Sequence, residues 1–524
     1  MNLLTKHLDT WTTAPNGIKK LRELILELAV RGLLVPQNPD DEPASVLLEK
    51  IKKTNLSPKI TEDSKFFILP KNWAWFRVGD YLTFEYGKSM PAKERDESGE
   101  IDVYGSNGIV GKHTETLVSE PCIVVGRKGS AGALNKALNP CWVTDVAYSV
   151  LPPSGFNFEY TFLILKSLKL DELGKGIKPG VNRNEAYALV SALPPLAEQH
   201  HIVAKVDELM QLCDQLEQKQ ISNQEIHAQL VSTLLTTLTQ TTDPQAFQAA
   251  WTRIATSFDS LFTTESSIEQ LKQTILQLAV MGKLVEQEAG DEPASVLLEK
   301  IAQEKARLIS EGKIKKSAPL PKIADDEKPF ELPNGWEWVR LEDVAESSLG
   351  KMLDKAKNKG EYQKYLRNLN VRWFCFNLTD LLEMRFKESE EAQYTAIKND
   401  VLICEGGYPG RAAIWEDDEP IYFQKAIHRV RFYISSMNKW FLYFLFLSDL
   451  TRDIEKYFTG MGIQHFTGKE LKRFVIPLPP LAEQHRIVAK VDELMALCDQ
   501  LKTKLNTAQT LQTQLAEALV QQVA

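Results

Sequence analysis

Three motifs in this 524-residue chain carry residue types that could support chemistry, and each is incomplete. Asn139-Pro140-Cys141-Trp142 lacks the second proline of the [DN]PP[YFW] pattern that grips an adenine for amino-group methylation, and no Gly-rich loop for S-adenosylmethionine precedes it. A strand-opening turn is the plainer reading. Gly87-Lys88-Ser89 has the tail of a phosphate-cradling loop, but the upstream glycine would have to be residue 82, which is Leu. His200 and His485 stand beside Glu198 and Glu483, yet no cysteine or further histidine completes a zinc set, and a helix start needs such polar groups in any case. A nuclease's clustered acid–acid–lysine triad after a strand is also missing. The expectation is therefore no catalytic constellation, no metal site and no cofactor on this chain. The six cysteines (122, 141, 213, 375, 404, 498) form no CxxC pair, as in a protein of a reducing cytoplasm.

The histidines lie in a block that occurs twice. LPPLAEQHHIVAKVDELMQLCDQLE at 193–217 returns at 478–502 with 22 of 25 positions unchanged, the differences being His201/Arg486, Gln211/Ala496 and Glu217/Lys502. LAVRGLLV…DEPASVLLEKI (28–51) returns at 278–301, and LPKNWAW (69–75) returns as LPNGWEW (332–338). The chain is thus two copies of one unit, a pseudo-two-fold internal repeat. The offsets grow from 250 through 263 to 285, so copy two has 13 more residues before its Trp pair and 22 more within its variable region. Insertions fall in linkers and variable regions; the helical blocks keep their length.

Composition bounds the rest. Charged residues at 25% and hydrophobic residues at 43% describe an ordinary globular protein, long enough for three or four domains. No signal-type segment follows Met1. No apolar run approaches the 18 residues that a membrane span needs: the longest candidate, Trp440–Leu447, has eight and reads as a buried strand or helix. The formal net charge of −8 gives no general attraction to nucleic acid, so a DNA partner would need a local positive field or one supplied by other subunits. Residues 126–183 hold eight Lys/Arg against four Asp/Glu, and 350–373 hold seven against two, although charge runs of this size are most often solvated faces.

The elements that must position any functional residue follow from periodicity. Residues 1–66 read as helical: Ile18, Leu21, Ile25, Leu28 and Ala29 recur at helical spacing, Gly32 suits a helix C-terminus, and Ala44–Lys52 is a second amphipathic helix. Residues 67–195 alternate strand-like runs (CIVVG at 122–126, CWVTDVAYSVL at 141–151) with Gly-rich turns (YGSNGIVG at 104–111, GRKGSAG at 126–132), the pattern of a β-rich or α+β module. Residues 196–329 open with a long helix and close with a linker in which the heptads lapse. Residues 330–480 form a second module, richer in aromatics, and 481–524 a second long helix. The stripe Ile202, Val206, Leu209, Cys213, Leu216 has coiled-coil spacing, as does Ile487, Val491, Leu494, Cys498, Leu501, Leu505, continuing to Ala508, Leu515 and Leu519 across a polar Gln512. Each long helix is expected to run about 35–40 residues, and neither stripe can be buried alone, so the two should pair and place the modules at opposite ends of a rod.

Two variable modules, each followed by LPPLAEQ and a long helix, resemble the specificity (S) subunit of type I restriction–modification systems over essentially the whole chain. The order and doubling of several markers carry the resemblance: LPPLAEQ-x-x-IV, the ILxLAVxGxLV…DEPASxLLExI blocks and the WxW pairs. Within the modules, YGSNGIVG, GRKGSAG and WVTDVAYSV resemble one target-recognition subtype; YLRNLNV, NDVLICEGG, GRAAIW and GIQHFTGKEL resemble another. The resemblance implies an α+β protein with two globular α/β target recognition domains joined by two long helices in an antiparallel coiled coil. It implies a non-catalytic reader of double-stranded DNA in a bacterial or archaeal cytoplasm. Its partners would be two adenine-N6 methyltransferase subunits, which hold the S-adenosylmethionine, and two motor–nuclease subunits, which use ATP and Mg.

Under that resemblance each module reads one half of a split, asymmetric DNA site. Arg or Lys suits guanine and Asn or Gln suits adenine, while Gly-rich loops approach phosphate closely. The candidates are Asn107, Arg127, Lys128, Ser130, Arg183 and Asn184 in module one. In module two they are Arg367, Asn368, Asn370, Arg372, Tyr408, Arg411, Gln464, His465 and Lys469. The alternative for each is a structural turn residue or a solvated charge. Asp145 and Tyr148 read as structural, and Trp73/Trp75 and Trp336/Trp338 should pack the root of each module. Rival readings are a stand-alone DNA-binding regulator, a methyltransferase or nuclease, a bare coiled-coil scaffold, and a specificity subunit serving methylation alone.

Overall fold

The computed structural model describes residues 2–51, 59–61, 65, 67–96, 98–173, 180–241, 243–354 and 356–522. The chain divides into two compact units, one of residues 1–225 with 507–524, the other of residues 226–506. This division cuts across the five segments read from the sequence, because the two long helices, Leu196–Gln240 (45 residues) and Leu481–Gln521 (41 residues), each contribute a part to both units.

In the first unit, helix Gly17–Val30 buries Ile18, Leu21, Leu24, Ile25 and Leu28 in one cluster with Ile202, Val206 and Cys213 of the first long helix and Ala516 and Leu519 of the second. Leu209 and Leu216 are partly buried against the same cluster. The second unit repeats the arrangement. Helix Glu265–Val280 shares a core with Ile487, Val491 and Cys498, with Val231, Leu235 and Leu238, and with the partly buried Leu494, Leu501 and Leu505. The heptad stripe therefore does not serve a pair of long helices alone. A 4-3 stripe buries equally well against any helix that crosses at a shallow angle, so spacing could not name the partner. Beyond Leu505 the buried positions are Ala516 and Leu519, while Leu515 and Ala508 are exposed; apolarity favoured the larger Leu515, but the 4-3 register runs through Gln512 to the small Ala516.

The sequence differences between repeats have partners. Arg22 reaches Asp214 (2.6 Å) and Glu217 (2.8 Å), and its equivalent Lys272 reaches Asp499 (2.5 Å). Where Glu217 becomes Lys502, the helix it faces supplies Glu265 (2.6 Å) and Glu269 (3.0 Å). Where His201 becomes Arg486, the new cation pairs with Asp291 at 2.5 Å.

Each module is enclosed by a pair of antiparallel strands. Ala74–Arg77 pairs with Val190–Leu193, and Glu337–Arg340 pairs with Val475–Leu478. Between those strands the two modules share a topology that their sequences hide. The first has a four-stranded antiparallel sheet in the order Phe84–Tyr86, Ala147–Val150, Cys122–Gly126, Leu134–Ala137. The second has Ala345–Leu349, Ile427–Phe432, Val401–Cys404, Ala412–Ile414 in the same order. A second sheet in each is built on one parallel pair, Ile101–Gly105 with Cys141–Val143 and Glu361–Leu366 with Ile421–Phe423. Central strands such as Cys122–Gly126 and Val401–Cys404 are buried at every position, which is why they read as unbroken apolar runs. The apolar run at Trp440–Leu447 is helical, within Asn438–Leu450.

The repeated blocks build the joint between helices and module. Trp73 and Trp336 are buried, and their indole N–H groups donate to Glu198 (3.0 Å) and Glu483 (2.9 Å) in the first turns of the long helices. Gly32 and Gly282, both at positive φ, end the short helices directly beneath these indoles. Gln199 and Gln484 donate to the carbonyls of Pro194 (3.0 Å) and Pro479 (2.8 Å). LPPLAEQ and WxW are thus halves of one structural lock. The described part of Ala44–Lys52 forms helix Ala44–Lys50, and Lys52 lies outside the described residues.

Candidate nucleic-acid interface

The motifs that hinted at catalysis are used for folding. Gly87 and Lys88 extend a strand edge, donating to the carbonyls of Ala147 (3.2 Å) and Val143 (2.9 Å), and a Cβ at Gly87 would collide with Thr144. Asn139-Pro140 precede the short strand Cys141–Val143, where Cys141 is buried 3.8 Å from Cys122. His200 lies 3.1 Å from the Asn157 amide. Among the described residues no group of three or more His, Cys, Asp or Glu is placed to hold a metal ion.

In module one the candidates converge. The hairpin turn containing Ser106 and Asn107 lies over Gly126, whose Cβ would meet the Ser106 carbonyl, and Gly129 sits near the Ser106 hydroxyl. This brings the Ser106–Asn107 turn against the loop that carries Arg127, Lys128 and Ser130. Asn107, Lys128 and Ser130 are exposed, and Arg127 is partly so. Backbone bonds from Arg127 and Lys128 to Val146 fix the loop, and Val181 donates to the Arg127 carbonyl (2.9 Å), tying it to the segment that leads into helix Arg183–Ala188. Asn182 caps that helix by accepting from the Asn184 N–H (2.9 Å), so Arg183 and Asn184 project from its first turn. The guanidinium groups of Arg127 and Arg183 both lie against Tyr86, at 5.0 and 4.8 Å from the ring centroid. Tyr86 was missed in the sequence; only its place at a strand end before Gly87 marks it. Tyr148 is buried, and its hydroxyl donates to the Val181 carbonyl (3.1 Å).

Module two gathers most of its candidates on the matching loops. The Asn368 amide donates to the Gly406 carbonyl (2.9 Å), Arg411 donates to the Asn368 carbonyl (2.8 Å) and stacks on the exposed Tyr408 ring at 4.1 Å, and Gly406 bridges to His465. Gln464 and His465 are exposed on a loop closed by reciprocal backbone bonds between Thr459 and His465 (2.9 Å each). Met461 at the tip of that loop is fully open to solvent and Ile463 largely so, a feature that apolarity alone did not single out. Lys469 and Arg372 are also exposed, Arg372 with one donor on its neighbour's carbonyl (3.3 Å).

Two candidates already have partners within their own loop. Asn370 is only 2% exposed: its side chain accepts from the Arg367 N–H (2.8 Å) and donates to the Asn377 (2.9 Å) and Asp380 (3.2 Å) carbonyls, so it builds the loop. Arg367 is mostly buried and committed to Asp380, at 2.6 Å to the carboxylate and 2.8 Å to the carbonyl. Asparagine and arginine are used for both purposes, and only burial separates them.

The modules can be superposed in register. Tyr148 and His428 occupy one position: each pairs with the third residue of the central strand's apolar core (Val125, Ile403), and each satisfies the same carbonyl, Val181 or Phe466. Burial holds the His428 pKa down at about 4, so the imidazole is neutral and its Nε2 hydrogen can serve that carbonyl at 2.8 Å. The backbone bond from Val181 to Arg127 recurs from Phe466 to Glu405 (2.8 Å). One platform thus carries two different sets of side chains at its loop tips.

The family of the type I restriction modification DNA specificity domain matches this chain twice, at residues 70–226 and 333–509, and the chain belongs to that family. The specificity subunits of two type I restriction enzymes of Escherichia coli are similar to it throughout. EcoAI is 35% identical over 592 aligned positions, covering 99% of this chain and 98% of the relative; EcoEI is 33% identical over 590, with the same coverage. Among solved structures, the HsdS subunit from Thermoanaerobacter tengcongensis aligns with 87% of this chain and 98% of its own, at 18% identity and a TM-score of 0.42.

Proposed function

We propose that this chain is the non-catalytic DNA-reading subunit of a type I restriction–modification complex. Each module, a target recognition domain, reads one half of an asymmetric, bipartite site on double-stranded DNA. The observation that carries this reading is the shared platform with unlike loop tips: Asn107, Arg127, Lys128, Ser130, Arg183 and Asn184 on one, Asn368, Arg372, Tyr408, Arg411, Gln464, His465 and Lys469 on the other. Equal scaffolds with different donors are what two different half-sites need. The long helices pair as an antiparallel coiled coil and set the gap, with half-sites about one helical turn, roughly 10 bp, apart. The helical blocks dock two adenine-N6 methyltransferase subunits and, through them, two motor–nuclease subunits; S-adenosylmethionine, ATP and Mg belong to those partners. The net charge of −8 supports this division of labour, since the general attraction to phosphate would come from the partners. The site of action is the cytoplasm, and among the described residues no helix is long and apolar enough to cross a membrane.

The test is single-molecule methylome sequencing of cells with and without this chain, the partner methyltransferase being present in both. Loss of adenine methylation at one asymmetric, gapped motif is the expected result and names both half-sites. An unchanged methylome from an assembled complex would reject it.

A further inference from the structure

Tyr86 ends the outermost strand of the first four-stranded sheet and is 50% exposed. Its ring rests against the buried Tyr148 ring, 5.0 Å between centroids, and Tyr148 is itself pinned by the Val181 carbonyl. The ring is therefore backed by the core on one side while it carries two guanidinium groups, those of Arg127 and Arg183. Among the described residues neither arginine has a carboxylate within ion-pair distance, and each rests on the ring instead. Arg127 spends one nitrogen on the Asp145 carbonyl (2.8 Å), and among the described residues Arg183 has no hydrogen-bond acceptor, lying only against the Tyr86 and Tyr187 rings. A guanidinium stacked on an aromatic face keeps its plane fixed and its fork of N–H groups pointing outward, the geometry of bidentate binding to two adjacent acceptors.

The same three places in module two hold no cation. Strand register puts Leu349 where Tyr86 stands, opposite His428 as Tyr86 is opposite Tyr148. The recurring backbone bond puts Glu405 in the place of Arg127, and Gly468 follows Phe466 by two residues as Arg183 follows Val181. A cluster that the fold required would be kept on both platforms; this one is built on only one of them.

Resting on the DNA-reading function above, we propose that Tyr86, Arg127 and Arg183 form a guanine subsite belonging to the first half-site alone. Arg183 makes the bidentate contact to guanine O6 and N7 in the major groove, Tyr86 positions it, and Arg127 supplies the second cation. The adjacent pair of acceptors is the discriminating feature, because adenine sets an N6 donor beside its N7, and removing N7 from guanine breaks that pair without touching the Watson–Crick edge.

The experiment uses the assembled complex with its partner methyltransferase and duplexes carrying the motif named by the methylome. Each guanine of either half-site is replaced in turn by 7-deazaguanine, which lacks the N7 acceptor. One guanine of the first half-site should lose about tenfold or more in affinity on replacement. Arg183→Ala and Tyr86→Leu, the latter installing the residue of module two, should abolish most of that difference, while Tyr86→Phe restores it. Responses at the second half-site stay as in the wild type and report intact folding. A wild-type complex that binds its motif but responds to 7-deazaguanine nowhere in the first half-site overturns the subsite and leaves the function standing. Equal weakening of both probes by Tyr86→Leu and Arg183→Ala also overturns it. A complex with no sequence preference at all would instead overturn the function on which it rests.

Discussion

Glu198 and Glu483 are each buried at a helix start with an indole N–H as partner. Burial pushes the Glu198 carboxyl up to about 7, against the opposing effect of the Trp73 N–H, and moves Glu483 in the same direction. A carboxyl whose folded pKa is raised favours the native state most when protonated. Its contribution is complete below the ordinary value of 4.5 and is lost as pH rises through about 7. Glu198→Gln keeps an acceptor for Trp73 but has no proton to lose. Between pH 5 and 8 the wild type should therefore lose thermal stability relative to this variant, measured as the difference between their unfolding midpoints. Parallel curves would mean that Glu198 does not titrate in that window. At this scale the sequence was only partly legible. It picked out Arg127, Lys128 and Arg183 by type and by Gly-rich context, yet it also picked Asn370, whose three hydrogen bonds are internal, and it passed over Tyr86. Residue type states what a side chain can bond, and the fold decides what it already has.

Helices and strands were far more legible, because burial imposes a period on them. The stripes at 18–29 and 202–216 and the run CIVVG at 122–126 became regular elements, and within NDVLICEGG the strand is Val401–Cys404. What periodicity could not supply was the partner: the same 4-3 spacing served helix Gly17–Val30 as well as a long helix. The common topology of the two modules was invisible for a related reason, since strand order depends on pairing between distant segments with no local signature. The joint allows a graded test in the second unit. At Gly282 the backbone is left-handed (φ 65°), and a Cβ would stand 2.5 Å from Pro333 and 3.3 Å from Trp336. Gly312 has a similar φ of 71° with nothing within 4 Å. Gly282→Ala should cost about 2–4 kcal/mol, strain and overlap together, and Gly312→Ala only about 1 kcal/mol. Thermal midpoints at one scan rate would rank them, and equal losses would remove the Trp–Gly packing from the account of the joint.

On the scale of the whole molecule, the repeat was legible from the start and the division into units was not, because the long helices pass from one compact unit into the other after Glu225 and Asn506. Under the proposed function those helices set the distance between half-sites. Four residues inserted at both places add about 6 Å, close to two base-pair steps, and slightly more than one helical turn, which leaves each stripe on its face. Methylome sequencing should then return the same half-sites with a longer gap; the original gap would show that the helices do not measure it. The strands that enclose each module have a consequence of another kind. They enter and leave side by side, four residues paired with four, beside a lock made wholly of repeated residues. A recombination event that replaced everything between Arg77 and Val190 would have one seam to heal and one outside packing to keep, that of helix Phe158–Ser167 on helix Gly17–Val30 with the Asn157 N–H donating to Gln199 (2.7 Å). New specificity can arise in such a lineage by a single exchange of gene segments, provided the incoming module brings those few contacts with it.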